Sequence, residues 1–342
     1  MKLRFAFAGF RHPHIFALLE AVKNHPGCEL VAACETDAPT RDELASTGAV
    51  EVTHASMELM LAEVCPDVVA IGDFYSARGG IALAALEAGC HVISDKPLCT
   101  SLGELKSIAA ASSSQGLAIG CMLDLRENGL MRRLCEVARS GEIGDPCTIS
   151  LFGQHPLRVG KRASWYFEPG KQGGTINDIG IHALDLAEWF TGREWESSIS
   201  AREWNRKAVE FPFFGDCAQF HWLLSGGISV FTDVSYLAPD ESGYALPQYW
   251  RVTVNGTKGV AETSYGASGV QVAEDKDSAV RLLNPLPADT GRYLENFLSE
   301  ISGCPVVDGL TTAHILRISR IALQTQKTAS AESCGLNGIF TP

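Results

Sequence analysis

Residues 173–185 read Gly-Gly-Thr-Ile-Asn-Asp-Ile-Gly-Ile-His-Ala-Leu-Asp and hold three polar groups in an apolar setting. Asp178 and His182 stand four residues apart, and Asp185 follows three later. On a helix that spacing puts all three on one stripe. Their neighbours Ile179, Ile181, Ala183, Leu184, Leu186, Ala187 and Phe190 are apolar. A buried polar stripe is costly unless it is paired or used. A carboxylate beside an imidazole can orient a substrate hydroxyl and take its proton. A core histidine satisfied by Asp178 fits the same spacing. The second chemical group is Lys96, in Asp95-Lys96-Pro97. Proline pushes the residue before it toward an extended backbone, and a lysine at a strand end can bond a substrate hydroxyl. A surface lysine ahead of a turn also fits.

Two softer constellations accompany these. Gln154, His155, Arg158 and Arg162 precede Trp165-Tyr166-Phe167. This loop suits either a substrate platform of aromatic and polar groups or a loop packed by its own rings. His12 and His14 have a spacing that two metal ligands could share, but no third ligand is evident along the chain, so no metal is expected.

The elements that must position these groups fall into two patterns. Up to residue 123, strands at Leu3–Ala8, Cys28–Cys34, 50–53, Val68–Ile71, His91–Ser94 and 117–122 alternate with helices at 14–22, 39–46, 56–64, 77–88 and 102–114. Such alternation implies an α/β fold, a doubly wound parallel sheet with helices on both faces. Ligands of such sheets sit beyond the carboxyl ends of the strands, here Gly9, Glu35, Asp73, Asp95-Lys96-Pro97 and Asp124. A dinucleotide turn asks for Gly-x-Gly-x-x-Gly. This chain has Gly9-Phe10-Arg11-His12-Pro13-His14, with Arg11 and His14 in two of the glycine places. A helix N-terminus there attracts phosphate and Arg11 adds charge, while the bulk of both side chains opposes it. Asp73 would repel a pyrophosphate unless Arg11 or Arg78 pairs with it. Glu35 lies 21 residues after His14. An acid there bonds ribose hydroxyls and repels a 2′-phosphate, which favours NAD over NADP; a solvated strand-end acid is the plainer reading.

From residue 124 strands dominate. A helix at 127–138 leads into strands at 147–154, 197–204, Cys217–Leu224, 228–234, 250–255 and Gly259–Thr263, with helices at 173–190, 293–301 and 311–326. The expectation is a second α/β domain, 124–342, on an open, mostly antiparallel sheet, following a first domain of 1–123.

Composition bounds the class. The 342 residues carry a net charge of −12, with 46% hydrophobic and 20% charged residues, as in ordinary globular proteins. That charge argues against nucleic acid or an anionic membrane as partner. Eleven cysteines include no Cys-x-x-Cys pair, and buried reduced thiols are expected. No apolar run is long enough to span a membrane and the N-terminal apolar run is too short for a signal peptide, so a cytoplasmic protein is expected.

Several of these motifs together resemble the glucose–fructose oxidoreductase / inositol dehydrogenase (Gfo/Idh/MocA) family over nearly the whole chain. They are the first strand with Gly9, the run Ala-Leu-Glu-Ala-Gly-Cys-His-Val-Ile ending at Ile93, Asp95-Lys96-Pro97 in place of Glu-Lys-Pro, Arg126, and Gly-Gly-x3-Asp-x3-His-x2-Asp at 173–185. The resemblance implies an N-terminal Rossmann domain and a C-terminal α/β domain whose open sheet supports a homodimer or homotetramer. It implies an NAD(P)-dependent oxidoreductase moving a hydride between nicotinamide and a hydroxyl of a sugar, cyclitol or related polyol. Lys96, Asp178 and His182 would be catalytic, with His182 as the proton acceptor. Gly9, Phe10, Arg11, His12, Glu35, Asp73, Phe74, Asp95, Lys96, Pro97 and Arg126 would contact the cofactor; His155, Trp165, Asp178 and His182 would contact the substrate. The chain departs from the family on the cofactor side, with Asp73-Phe74-Tyr75 in place of Thr-Pro-Asn and Arg78 in place of a histidine. A sugar-sensing homologue, or a redox-assisted elimination of the NAD-dependent glycosidase type, is the alternative.

Overall fold

The computed structural model describes residues 2–306 and 309–336. One compact unit runs to Met122 and takes in Gly170–Gly173 and Gly291–Arg320; the other comprises Leu123–Pro169, Gly174–Thr290 and the chain from Ile321 on.

The first unit contains β1 (Leu3–Ala8), α1 (Ile15–Asn24), β2 (Cys28–Cys34), α2 (Ala38–Thr47), α3 (Met57–Val64), β3 (Val68–Ile71), α4 (Tyr75–Glu87), β4 (His91–Ser94), α5 (Leu102–Gln115) and β5 (Ile119–Cys121). All strand pairs are parallel, in the order β2-β1-β3-β4-β5. The strands are apolar runs because both faces of the sheet are covered; every residue of β3 is buried. Helix starts follow local chemistry. The side chains of Asp37, Ser56 and Ser101 accept the backbone N–H three residues on, and Ser101 and Glu104 close a capping box. The strand expected at 50–53 does not form. It is reduced to one parallel bridge, Cys34 to His54. The Thr53 hydroxyl itself bonds the N–H and the C=O of Ala33, replacing ladder bonds. Counting that bridge as a sixth position restores the dinucleotide-fold order 3-2-1-4-5-6.

The second unit contains α6 (Gly129–Ser140), β6 (Pro146–Pro156), α7 (Ile181–Thr191), β7 (Trp195–Trp204), β8 (Cys217–Leu224), β9 (Ile228–Ala238), β10 (Tyr249–Gly256), β11 (Gly259–Thr263), β12 (Val270–Glu274) and β13 (Arg281–Leu283). Its eight strands run β13-β12-β11-β10-β6-β9-β8-β7, antiparallel except for β6 beside β9. Residues alternate along β8 and β9: Phe220, Trp222, Val230 and Val234 are buried. On the other face a polar ladder joins Gln154 and Gln219 to Asp233. This is the half-buried pattern of a sheet with one open face.

Two terminal helices follow, α8 (Arg292–Ile301) and α9 (Thr312–Leu336). α8 and the start of α9 belong to the first unit, where they cover the edge strand β5. Thr312 Oγ1 accepts from Ile119 N at 2.8 Å, and Phe297 lies so close over Gly120 that a Cβ there would be 2.9 Å from its ring. Covering an edge strand removes a site of unwanted pairing. No helix among the described residues is long and apolar enough to cross a membrane.

Candidate functional site

In the first unit, the carboxyl ends of β1 to β4 bear a hydrogen-bonded cluster of side chains. Gly9 has φ +79°, and a Cβ on it would come within 2.5 Å of the Asp73 Cβ, so the first glycine of the turn is obligatory. The other glycine places are filled by side chains that brace the turn. Glu35 is fully buried, and its two oxygens accept from Phe10 N (2.7 Å) and Asp37 N (2.8 Å). Arg41 Nη1 donates to the carbonyls of Glu35 and Thr36. Arg11 Nε lies 2.7 Å from Asp73 Oδ1, and its Nη2 donates to Oδ2 at 3.0 Å. Burial raises the pKa of Asp73 and the Arg11 charge opposes that rise. The anticipated repulsion toward a phosphate is therefore neutralised within the protein.

Arg78 is fully buried and acts as the junction of β3 and β4. Its Nε donates to the Asp73 carbonyl (2.7 Å), its Nη1 to the carbonyls of Asp95 (2.9 Å) and Lys96 (2.6 Å), and its Nη2 to Asp95 Oδ2 (3.0 Å). His12 Nδ1 hydrogen-bonds Asp95 Oδ2, and the Tyr75 hydroxyl lies 3.3 Å from His12 Nε2. Burial lowers His12 to a pKa of about 4, so the imidazole is neutral. Burial pushes Asp95 upward, but the Arg78 charge and the histidines outweigh it and hold the carboxyl well below its usual range. Lys96 is 7% exposed, joined to Pro97 by a cis peptide bond, with its ammonium 5.9 Å from the Tyr75 ring centre.

In the second unit, the stretch expected to be one helix is two. Ile176–Gly180 forms a π-helical turn and α7 begins only at Ile181. A π-turn has wider spacing than an α-helix, so the stripe read from α-helical geometry does not hold. The cause lies far away in sequence. Gln326 Oε1 accepts from Ile176 N (2.9 Å) and Asn177 N (3.3 Å), its Nε2 donates to Glu203 Oε2 (2.6 Å), and Glu203 Oε1 accepts from Thr175 N (2.6 Å). Gly174, at φ +97°, leaves the space that the Gln326 amide occupies.

The three polar residues consequently have three different surroundings. Asp178 is buried and its Oδ2 accepts from the Tyr236 hydroxyl. Burial, with the Asp178 charge next, drives Tyr236 well above its usual pKa, so the phenol remains a donor. His182 is 6% exposed and lies edge-on to Trp250, ring centres 5.6 Å apart. Asp185 takes both Arg126 Nε (2.8 Å) and Nη2 (2.6 Å). Arg126, expected at the cofactor, is thus committed to a buried ion pair and also lies over the Trp189 ring.

His155 on β6 donates from Nδ1 to the Gly153 carbonyl (3.0 Å), which leaves Nε2 as an acceptor. Its ring meets Tyr236, Tyr244, Tyr249 and Trp250 edge-on. Trp165 is 5% exposed and stacked on Tyr166, so its burial favours the self-packed reading of that loop. Sequence reasoning missed Tyr236, Gln326, Glu203 and Trp250. Only Trp250 leaves a conformational mark: it has φ +52° at a register shift in β10 opposite Gly153. The missing third partner of His12 and His14 was also invisible; the fold brings Asp95 to them.

Comparison with known proteins agrees with this architecture. Residues 3–122 match the model of the oxidoreductase family with an NAD-binding Rossmann fold, and residues 131–262 match the GFO/IDH/MocA C-terminal domain. The chain is 27% identical over 161 residues to 1,5-anhydro-D-fructose reductase of Ensifer adhaerens, covering 46% of this chain and 48% of that protein. It is 27% identical over 195 residues to D-glucoside 3-dehydrogenase of Escherichia coli K12, covering 56% and 54%. The match thus spans about half the length of these curated relatives. An oxidoreductase from Agrobacterium radiobacter, solved with NAD+, L-tartaric acid and magnesium, shares the fold with a TM-score of 0.78 at 18% identity over 97% of each chain.

Proposed function

We propose that this chain, which belongs to the Gfo/Idh/MocA oxidoreductase family, is an NAD-dependent dehydrogenase acting on a CH–OH group of a sugar, cyclitol or related polyol. The observation that carries the reading is a pair of buried groups in the second unit, the Asp178 carboxylate held by the Tyr236 hydroxyl and the His182 imidazole edge-on to Trp250. A carboxylate oriented by a buried phenol is suited to position a substrate hydroxyl at a fixed angle, and His182 would accept its proton. Lys96, buried at the end of β4 in the first unit, would supply the positive charge that stabilises a developing oxyanion. His155, fixed by its own strand among aromatic rings, orients the remaining hydroxyls.

When bound, the nicotinamide supplies the hydride acceptor. Gly9, Phe10, Arg11, Asp73, Phe74, Lys96 and Pro97 would hold the cofactor, with Glu35, His12 and Asp95 as buried supports of the turn and strand ends. The fit rests on the switch point between β1 and β3 and on Arg11, which cancels the Asp73 charge beside it. NAD is preferred because an acid, Glu35, ends β2. Calorimetry with NAD and NADP, followed by a polyol screen for NADH formation, tests this. The expected outcome is NAD binding, and loss of turnover in His182→Ala with cofactor affinity kept. No binding of either cofactor at millimolar concentration would refute the redox reading in favour of a sugar-sensing role.

A further inference from the structure

We propose that His12, His14 and Asp95 form a binding site for a divalent transition metal of the zinc type. This assignment is independent of the hydride-transfer reading. One candidate ligand atom from each residue lies within 4.8 Å of the others. His14 Nδ1 is 3.5 Å from Asp95 Oδ1. Two ligands at about 2.0–2.2 Å from a tetrahedral zinc are themselves about 3.4 Å apart, so that pair is already at coordination spacing.

The second observation is Asp95 itself. It is fully buried; Oδ2 takes His12 and Arg78, whereas Oδ1 accepts no hydrogen bond. A buried carboxylate oxygen without a donor is costly, and the cost is relieved by a ligand. The surrounding groups have the arrangement that holds metal ligands in place. Tyr75 stands at the far ring nitrogen of His12, and Arg78 holds the other oxygen of Asp95.

Metal binding at His12 Nδ1 moves that nitrogen's proton to Nε2, where it donates to the Tyr75 oxygen. The imidazole stays neutral and no proton is released. The side chain of His14 is half exposed and provides the way in. Two imidazoles and one carboxylate suit zinc, cobalt or nickel better than magnesium or calcium.

The test is a cobalt titration of the full chain after chelator treatment, followed by displacement with zinc. One equivalent of cobalt is expected, with visible d–d absorption and no thiolate charge-transfer band. His14→Ala alters a half-exposed side chain and should keep the fold, checked by circular dichroism. It should weaken cobalt binding by about 100-fold, and Tyr75→Phe by about 10-fold. Absence of stoichiometric cobalt, a thiolate band, or unchanged affinity in His14→Ala would each overturn the assignment.

Discussion

The fold around Asp178 depends on one amide near the C-terminal end of the chain, and replacing Gln326 by leucine isolates its contribution. Leucine keeps the volume and removes every hydrogen bond. Ile176 N and Asn177 N, both buried, lose their acceptor, and Glu203 Oε2 loses its donor. Each of the three orphaned buried groups costs about 1–3 kcal/mol, so the expected loss is about 3–9 kcal/mol. For a unit of about 150–250 residues, 1 kcal/mol moves Tm by about 2–4 °C, so even the lower bound predicts a fall of about 6–12 °C. Gln326→Glu separates the two halves of the amide, because it keeps the acceptor and replaces the donor with a second acid facing Glu203. Glu203 already has its pKa raised above 4.5, by burial first, with its hydrogen bonds from Thr175 and Gln326 opposing. A carboxyl whose folded pKa lies above its unfolded value stabilises fully below the unfolded pKa and loses that contribution as pH rises through the folded one. Gln326→Glu should therefore match the wild type near pH 4.5, where a proton bridges the acids, and fall away steeply above it. Thermal melts of both variants across pH decide the matter. A Tm loss under about 2 °C in Gln326→Leu, or a pH-independent Gln326→Glu, would refute the capping role.

Further expectations are as direct. Tyr236→Phe removes the donor to Asp178 and should lower kcat/KM by about 10- to 100-fold, or about 1.5–3 kcal/mol, measured by steady-state kinetics on the best polyol. Arg11→Gly brings the turn nearer the glycine fingerprint yet strands Asp73; it should destabilise by about 2–3 kcal/mol in denaturant melts, with Arg11→Gly/Asp73→Asn recovering most of that. Arg126→Leu leaves Asp185 buried without its partner and should cost about 3–5 kcal/mol, whereas Arg126→Leu/Asp185→Leu should regain most of it.

How far these features were legible in the sequence depended on how local their causes are. β1, β2, β3, β4, β8 and β11 coincide with their apolar runs because burial leaves few other residue choices. β12 and β13 were missed; they are short, partly charged strands defined by pairing with β11 and each other. The 50–53 run has a strand's composition but meets β2 at one bridge only. The π-turn could not be read locally, since the side chain that caps it lies 150 residues away. Asp178 and His182 stood out as polar groups among apolar neighbours, whereas Tyr236 and Trp250 reach them only through strand pairing. Glu35 was visible as a strand-end acid, but its use as the acceptor beneath the turn required the fold.

The left-handed backbone of Trp250 has a consequence for anyone who would redesign this protein. A non-glycine residue in that conformation is strained by about 1–3 kcal/mol, and here it holds a buried indole whose ring centre is 5.6 Å from that of His182 and 5.8 Å from that of His155. His182 and His155, the base and the orienting imidazole of the proposed function, therefore share one wall. Substitutions at His155 made to change specificity will shift the indole, and through it the His182 ring. Libraries that vary the two sites separately will find few improvements, because their effects are epistatic; the productive unit of variation is His155, Trp250 and Gly153 together.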